Sequence, residues 1–337
     1  MIGDKVKVTT DEGEYSGLEV RRPDILEGDV TVIKLDNGYN IGIDKSRIKK
    51  KEVIEKGKDK EPEAKDLKHK KGLPNVSVLS FGGTISSKVD YNTGGVYADY
   101  TAVDFVNMCP ELSDIANLKA RKVMGIMSED FTYKTWQKMA RACEEEIKAG
   151  ADGIVITQGT DTLHFSTAAL SFMLKSPVPI VFTAAQRSID RGSSDAFMNL
   201  ICAITAAAKF DGKLVMSCMH ANSDDDFCHL IRGTKVRKMH TSRRDAFQAV
   251  NDIPIAKVYP DGKIDVMDED YPKDQKLEIK DKFEDTAIVL AYPGADPGVI
   301  DYHIKKGVKG IVISATALGH VPVEGKGSFL AEIENAR

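Results

Sequence analysis

The sequence predicts an α/β protein built on a doubly wound, mostly parallel sheet, with a small all-β barrel-like module before it. Two observations carry this prediction. From residue 74 onward, short and almost continuously apolar runs alternate with segments of helical periodicity, as in parallel strands that are covered on both faces. Before residue 49, apolar and polar residues alternate instead, in short runs that turn signals separate.

The amino-terminal module is predicted over residues 1–48. It contains the alternating runs KVKVTT, VTVIKL and YNIGI. The dipeptide Asn37-Gly38 is the strongest short-range signal for a hairpin, and it lies between the second and third of these runs. Residues 49–72 then carry ten Lys/Arg and six Asp/Glu in their first 23 positions, with little to bury. We interpret them as a charged linker.

The remaining chain is predicted to form a catalytic α/β domain over 73–250 and a connecting segment with part of a second α/β domain over 251–337. The predicted strands are 76–81, 153–157, 178–183, 213–218, 286–291 and 310–314. The predicted helices are 132–149, 161–175, 194–210 and 297–307. Because open α/β sheets bind ligands at the carboxyl ends of their strands, we expect the functional site there.

Composition excludes several classes of protein. The 337 residues include 47 Lys/Arg and 51 Asp/Glu, a net charge of −4, which argues against a broadly basic nucleic-acid binder. The apolar runs are far too short to cross a bilayer, and no secretory signal opens the chain. The five cysteines form no CxxC pair, so we expect reduced thiols, no disulfide framework and a cytoplasmic location.

Two turns between a strand and a helix carry candidate chemistry: FGGTIS at 81–86 and TQGTDT at 157–162. Their glycines allow the backbone to approach a ligand, and exposed amides at a helix start suit an anion or a developing oxyanion. Each turn also presents a threonine hydroxyl, which needs a base before it can act as a nucleophile. Lys209 is a candidate relay, although a lysine near a helix end is more often only a favourable terminal charge.

Taken together, these motifs resemble the L-asparaginase/glutaminase family of bacterial type over residues 74–337. The resemblance rests on these segments: FGGTIS at 81–86, GIVITQGTDTLHFSTAAL at 153–170, AAQRS at 184–188, TAAAK at 205–209, and Ser128-Glu129 within GIMSEDF. It implies an asparaginase-type fold.

The resemblance also implies roles for individual residues. Thr84 takes the position of the nucleophile. Thr160 and Asp161 would join Lys209 in a Thr-Lys-Asp set. The substrate's α-amino and α-carboxylate groups would be held by three side chains: Ser128, Glu129 and Asp161. The family also uses a tyrosine on the segment after the nucleophile, for which Tyr91 and Tyr97 are both candidates.

Some features depart from the family pattern. Phe81 stands where a threonine commonly precedes the Gly-Gly-Thr, and Gln158 stands where a histidine is usual. Neither position carries a proposed proton transfer, so we interpret both as tolerated changes. The chain stops at Arg337 within a helical stretch, and we expect it to be a fragment with an incomplete carboxyl-terminal domain.

The amino-terminal module, the linker and the segment 232–252 resemble a subgroup that supplies ammonia within a tRNA-dependent amidotransferase. For this chain the resemblance implies glutamine hydrolysis without a cofactor of its own, and no metal. A partner subunit would bind the tRNA, activate glutamate with ATP and Mg²⁺, and use the ammonia. A homodimer within a heterotetramer would be the assembly.

Two other functions remain open at the level of sequence. The first is a free cytoplasmic L-asparaginase with an unrelated amino-terminal module, which would release ammonia without partner or tRNA and would prefer asparagine. The second is a catalytically silent scaffold that binds the partner and tRNA. The intact Thr84, Thr160, Asp161 and Lys209 argue against the scaffold.

Two clusters also have simpler interpretations. The segment 232–252 holds five basic residues: Lys235, Arg237, Lys238, Arg243 and Arg244. They could contact tRNA phosphates, but a solvated loop that braces the second domain boundary is favoured. His220 and His229 flank the run Asp224-Asp225-Asp226, which we interpret as an ordinary polar loop, and we expect no zinc there.

Overall fold

A computed structural model describes most of the chain. The described residues are 4–20, 29–35, 39–56, 69–83, 85, 87–89, 96–98, 109–187, 189 and 193–337. The chain forms two compact units, Met1–Lys280 and Asp281–Arg337. Residues 251–280 therefore belong to the first unit, and the division lies later than the domain boundary that the sequence predicts after residue 250.

The amino-terminal module is an antiparallel sheet, as its alternating pattern predicts. Its strands in the described residues are β1 (Lys5–Thr9), β2 (Glu14–Val20), β3 (Val30–Leu35), β4 (Asn40–Asp44) and β5 (Lys50–Glu55), in the order β4-β3-β2-β1-β5. A short 3₁₀ helix, Lys45–Arg47, precedes β5. Alternate residues of β1 point inward, so Val6 and Val8 are fully buried beside Ile33.

The start of the predicted linker is wrong. Lys50–Glu55 forms β5, which pairs antiparallel with β1. All six of its residues are exposed, so this edge strand buries no apolar side chain and lacks the period of two that would reveal it. Its stability comes from backbone hydrogen bonds to β1. The turn residues Asn37 and Gly38 lie outside the described part, but the strands on either side of them pair as the hairpin prediction requires.

The larger part of the first unit is an α/β layer structure. Its strands in the described residues are β6 (Asn75–Ser80), β7 (Ser87–Val89), β8 (Val96–Ala98), β9 (Asn117–Lys122), β10 (Gly153–Thr157), β11 (Leu174–Lys175), β12 (Ile180–Thr183), β13 (Val215–His220), β14 (Cys228–Arg232), β15 (Val236–Lys238), β16 (Phe247–Ala249), β17 (Ala256–Val258), β18 (Ile264–Val266) and β19 (Glu278–Ile279). Its helices are α1 (Leu112–Ile115), α2 (Tyr133–Lys148), α3 (Leu163–Met173) and α4 (Ala196–Lys209), with a 3₁₀ helix at Ser128–Asp130.

The main sheet has the order β18-β17-β14-β13-β12-β10-β6-β9 among the described strands. The strands from β13 to β9 run parallel, whereas β14, β17 and β18 are antiparallel additions at one side. Helix α4 covers one face of the parallel part, and α2 and α3 cover the other. The predicted doubly wound, mostly parallel sheet is therefore confirmed.

The alternation of β10 shows why its sequence is apolar throughout. Ile154 and Ile156 pack with the α2 and α3 face, and Val155 packs with α4. Burial on both faces leaves no polar position in the strand, which is the pattern that predicts a central parallel strand. β9 escapes sequence prediction because it is an edge strand whose run NLKARK is largely polar.

The second unit holds a parallel pair of strands, β20 (Thr286–Leu290) and β21 (Gly310–Ser314), with helices α5 (Gly298–Lys305) and α6 (Leu330–Ala336) and a 3₁₀ helix at Gly325–Gly327. Val289, Ile300 and Phe329 form its small core. Both strands and α5 lie where the sequence predicts them. Across the described residues of both units, no helix has the length and apolar character that a membrane span needs.

Candidate active site

The two candidate turns lie side by side at the carboxyl edge of the sheet. β6 and β10 pair in parallel with Ser80 opposite Thr157, so the chain leaves both strands at the same level. Gly83 has φ +85°, and a Cβ there would overlap the backbone of Gln158 and Gly159. Only glycine allows this backbone contact, because any side chain would separate the two turns.

A second glycine in the first turn meets another segment. Gly82 has φ +110°, and a Cβ on it would lie 2.5 Å from the carbonyl oxygen of Ile126. The first turn is therefore packed between the segment after β9 and the second turn. Thr84, the proposed nucleophile, directly follows Gly83 but lies outside the described residues. Tyr91 and the side chain of Tyr97 lie outside them as well.

The second turn holds a lysine that sequence reasoning did not assign to the site. Lys238 Nζ donates hydrogen bonds to Thr160 Oγ1 at 2.8 Å and to Asp161 Oδ1 at 2.6 Å. The lysine side chain is 8% exposed, whereas that of Asp161 is 66% exposed. A buried amine that contacts both a hydroxyl and a carboxylate can exchange a proton with the hydroxyl when neutral, and can stabilise negative charge when protonated.

Strand β15 delivers Lys238 to this position. β15 pairs antiparallel with β16, with Lys238 opposite Phe247. Val236 and Phe247 are buried in the core that α2 and α3 cover. Because side chains alternate along a strand, Lys238 shares the face of Val236 and Arg237 is exposed on the other. The spacing of Val236 and Lys238 is the sequence signal that could have found this lysine.

The predicted placement of Lys209 in the Thr-Lys-Asp set is wrong. Lys209 is the last residue of α4, is exposed, and its Nζ donates to the carbonyl oxygen of Gly262 at 3.4 Å. A Cβ on Gly153, the first residue of β10, would overlap the carbonyl of Ala207 close to the end of α4. The end of α4 therefore lies at the amino edge of the sheet, and Thr160 lies beyond the carboxyl end of β10.

The proposed substrate-binding residues gather at the second turn. Ser128 is buried, and its carbonyl oxygen accepts a hydrogen bond from Thr162 Oγ1 at 2.7 Å. A Cβ on Gly159 would lie 2.8 Å from Ser128 Oγ, so this glycine lets the serine approach. Glu129 is the next residue and is exposed, as is Asp161. The structure thus brings Ser128 and Asp161 to one turn, with Glu129 beside them in the chain.

The electrostatic environment of the site is positive. His164, in the first turn of α3, has its pKa lowered from the ordinary value, first by burial and then by the nearby charges of Arg237 and Lys238. Positive charge disfavours the protonated imidazole and would favour an anionic group of a substrate. The free α-carboxylate of an amino acid fits this environment.

Neither the cysteines nor the histidines form a metal centre in the described residues. The five cysteines are unpaired thiols in buried positions. No group of three or more His, Cys, Asp or Glu side chains in the described part is arranged to hold a metal ion. His220 is fully buried, and burial followed by the charge of Lys257 lowers the pKa of His229.

Comparison with known proteins adds to this geometry. Residues 75–271 match the family model for the amino-terminal domain of asparaginase, and residues 1–54 match the GatD N-terminal domain. The glutamyl-tRNA(Gln) amidotransferase GatD chain of Methanothermobacter thermautotrophicus is 46% identical over 326 residues, covering 95% of this chain and 74% of that protein. The protein of the same name from Pyrococcus furiosus is 47% identical over 332 residues, covering 95% of this chain and 75% of that protein. The solved structure of the thermostable L-asparaginase from Thermococcus kodakarensis matches with a TM-score of 0.67 at 27% identity, over 78% of this chain and 76% of that one.

Proposed function

The chain belongs to the asparaginase family, and from this premise we propose that it is the glutamine-hydrolysing subunit of a glutamyl-tRNA(Gln) amidotransferase. The observation that carries the proposal is the similarity to GatD proteins over 95% of the chain, including a match to their amino-terminal domain over residues 1–54. The L-asparaginase from Thermococcus kodakarensis matches at lower identity, 27%.

The geometry supports hydrolysis of an amide by a threonine nucleophile. Thr84 Oγ1 would attack the side-chain amide carbon of glutamine, and backbone N–H groups of the two turns would stabilise the oxyanion. Breaking the C–N bond, with a proton delivered to nitrogen, would release ammonia and leave an acyl ester on Thr84. Water would then hydrolyse the ester to glutamate. Lys238, Thr160 and Asp161 would transfer protons and stabilise charge during these steps.

The substrate would be recognised by its two charged ends. Ser128, Glu129 and Asp161 would hold the α-amino and α-carboxylate groups. The two carboxylates suit an ammonium group, and the positive charge near His164 suits a carboxylate. This assignment requires no cofactor or metal in this chain.

The protein would work in a larger assembly. A partner would bind tRNA(Gln) carrying glutamate, activate the glutamate with ATP and Mg²⁺, and capture the ammonia. The assembly would be a heterotetramer built on a homodimer of this chain, in the cytoplasm. Most tRNA contacts would be made by the partner, because the net charge of this chain is −4.

An ammonia-release assay tests the function. Glutamine and asparagine are supplied to the protein alone, with its partner subunit, and with partner, ATP and charged tRNA. We expect glutamine hydrolysis that the complete complex stimulates. Partner-independent hydrolysis with a preference for asparagine would identify a free asparaginase, and tight partner binding without turnover of either amide would identify a scaffold.

Two variants locate the chemistry within that assay. Thr84→Ala and Thr160→Ala should each remove ammonia release while leaving the circular dichroism spectrum unchanged, because neither change removes a core side chain. Full ammonia release by both variants in the complete complex would contradict the site assignment.

A further inference from the structure

The loop 239–246 between β15 and β16 directly follows Lys238, and we name it the Lys238 loop. Its internal contacts are local. His240 Nδ1 accepts the backbone N–H groups of Ser242 and Arg243 at 3.1 Å each, and the Arg243 guanidinium pairs with Asp245 at 2.6–2.9 Å. These contacts shape the loop but do not attach it to the rest of the carboxyl edge.

Arg244 makes that attachment. Its guanidinium donates to the carbonyl oxygen of Ser193, to that of Ser223 at 3.3 Å, and to Asp225 Oδ1 at 3.0 Å. Ser193 belongs to the segment after β12, and the other two partners belong to the segment after β13. One side chain therefore connects three segments at the edge of the sheet where Lys238 meets Thr160.

Asp225 passes this connection to a buried histidine. His220 ends β13 and is fully buried, with its Nε2 3.0 Å from Asp225 Oδ1 and its Nδ1 2.6 Å from Asn199 Oδ1. Asp225 is largely exposed and also accepts from Arg244, so it is a carboxylate. Since a carboxylate cannot donate, His220 Nε2 must carry a proton.

The other ring nitrogen must carry a proton as well. Asn199 Nδ2 donates to the carbonyl oxygen of Ala184 at 2.9 Å and to Asp195 Oδ2 at 3.1 Å. Its Oδ1 accepts the backbone N–H of His220 at 3.0 Å. These bonds fix the orientation of the amide, so an oxygen faces His220 Nδ1. With acceptors at both nitrogens, the hydrogen bonds require the imidazolium form.

The surroundings of His220 balance this charge. Asp225 contacts the ring directly and in turn binds Arg244, while Asp195 acts through Asn199. The Cys228 thiol also donates to Asn199 Oδ1 at 3.4 Å. Asp195 further accepts the backbone N–H groups of Gln186 and Arg187 at 2.9 Å each, so the same network holds the start of the segment after β12.

We propose that Arg244, Asp225 and a protonated His220 are positioning residues that hold the Lys238 loop, and with it Lys238, against Thr160 and Asp161. Loss of the His220 proton places a lone pair against an acceptor oxygen and so weakens the hold on Asp225. Amide hydrolysis should then fall as the pH rises through the deprotonation of His220. A lysine acting as a base would give the opposite dependence, because it becomes more active as the pH rises.

Neighbouring arginines provide a matched test on the full chain in its complex. The catalytic readout rests on the proposed glutaminase function. Arg244→Ala should lower kcat about tenfold with KM little changed, because displacing Lys238 harms the reacting geometry more than glutamine binding. Arg243→Ala should stay within about twofold, since it removes only a pair inside the loop. Equal kcat values for the two variants would overturn the proposal.

Two measurements decide the structural part without any turnover. Hydrogen exchange of the Met239 amide, which bonds to Ala246 O at 2.7 Å, should accelerate in Arg244→Ala but not in Arg243→Ala. Nitrogen NMR of the histidine rings at about pH 7, with His220→Gln for assignment, should show both His220 nitrogens protonated. An unprotonated ring nitrogen, or equal exchange in the two variants, would overturn the proposal. If the wild-type complex hydrolyses neither amide, the proposed function fails, and these two measurements still decide the network.

Discussion

The two edges of the parallel sheet each carry a lysine, and only one of them is built into a site. At the carboxyl edge, Lys238 is almost completely buried and bonds Thr160 and Asp161 at 2.6–2.8 Å. At the amino edge, Lys209 is exposed and has a carbonyl contact at 3.4 Å. The comparison teaches that position relative to strand direction decides which lysine can act in the chemistry.

The amino edge also has a buried charge, and it differs in kind. Glu146 is 3% exposed and accepts hydrogen bonds from Ser77 Oγ at 2.9 Å and Lys119 Nζ at 2.8 Å. Both donors belong to neighbouring strands, β6 and β9, so the carboxylate joins the sheet to α2. Its acceptor capacity is used within the protein, whereas the carboxylate of Asp161 remains exposed to solvent. Burial of a charge alone therefore does not mark an active site.

The largest expected effect comes from exchanging the two lysines for alanine in separate variants. Lys238→Ala should lower the kcat of ammonia release by about 100-fold or more, because it removes a group positioned for proton transfer. Lys209→Ala should change kcat by less than about twofold, because its side chain lies at the opposite edge. Steady-state rates on the assembled complex measure both values. Equal losses in the two variants would contradict the comparison.

The sequence predicts the turns of this site and misplaces its lysine for a physical reason. The glycines of FGGTIS and TQGTDT mark the turns because close backbone contact leaves no alternative. Lys209 could have been rejected from the sequence, since a helix that connects parallel strands runs against them and ends at their amino edge. Lys238 was harder to find, because β15 and β16 are three-residue strands outside the main sheet. Their tertiary position, rather than any local propensity, carries the lysine to Thr160.

Glycines at the two edges give the next largest effect. Gly83→Ala should destabilise the chain by more than about 3 kcal/mol and abolish ammonia release, because a Cβ would overlap the backbone of the second turn. Gly150→Ala is the matched control at the amino edge, with a similar φ of +94° but open space around a Cβ. It should cost about 1 kcal/mol from backbone strain alone. Urea unfolding of both variants measures the difference, and equal costs would show that the contact between the turns is not a constraint.

The buried carboxylate at the amino edge should make stability depend on pH. Burial raises the pKa of Glu146, but hydrogen bonds and charges from Lys119, Ser77 and Arg121 outweigh it and hold the pKa below the usual value. A depressed folded pKa contributes stability above the unfolded pKa of about 4.3, and this contribution is lost as the pH falls through the folded pKa.

Replacing this carboxylate removes the dependence. Glu146→Gln should cost about 2 kcal/mol at neutral pH, because Lys119 and Ser77 lose a charged acceptor. The cost should shrink in acid, as the wild-type carboxylate becomes protonated. Urea unfolding between about pH 3 and pH 7 measures both proteins. A cost that stays constant over that range would contradict a charged Glu146 in the folded state.

The smallest effect reads out the charge of the lysine at the carboxyl edge. Burial contributes most to the lowered pKa of His164, and the positive charges of Arg237 and Lys238 add to it. Lys238→Met should therefore raise the pKa of His164, while Lys209→Met should leave it unchanged. An NMR titration of the His164 ring measures both. An unchanged pKa in Lys238→Met would mean that Lys238 is neutral in the resting site. It could then accept the proton of Thr160 directly rather than first giving up one of its own.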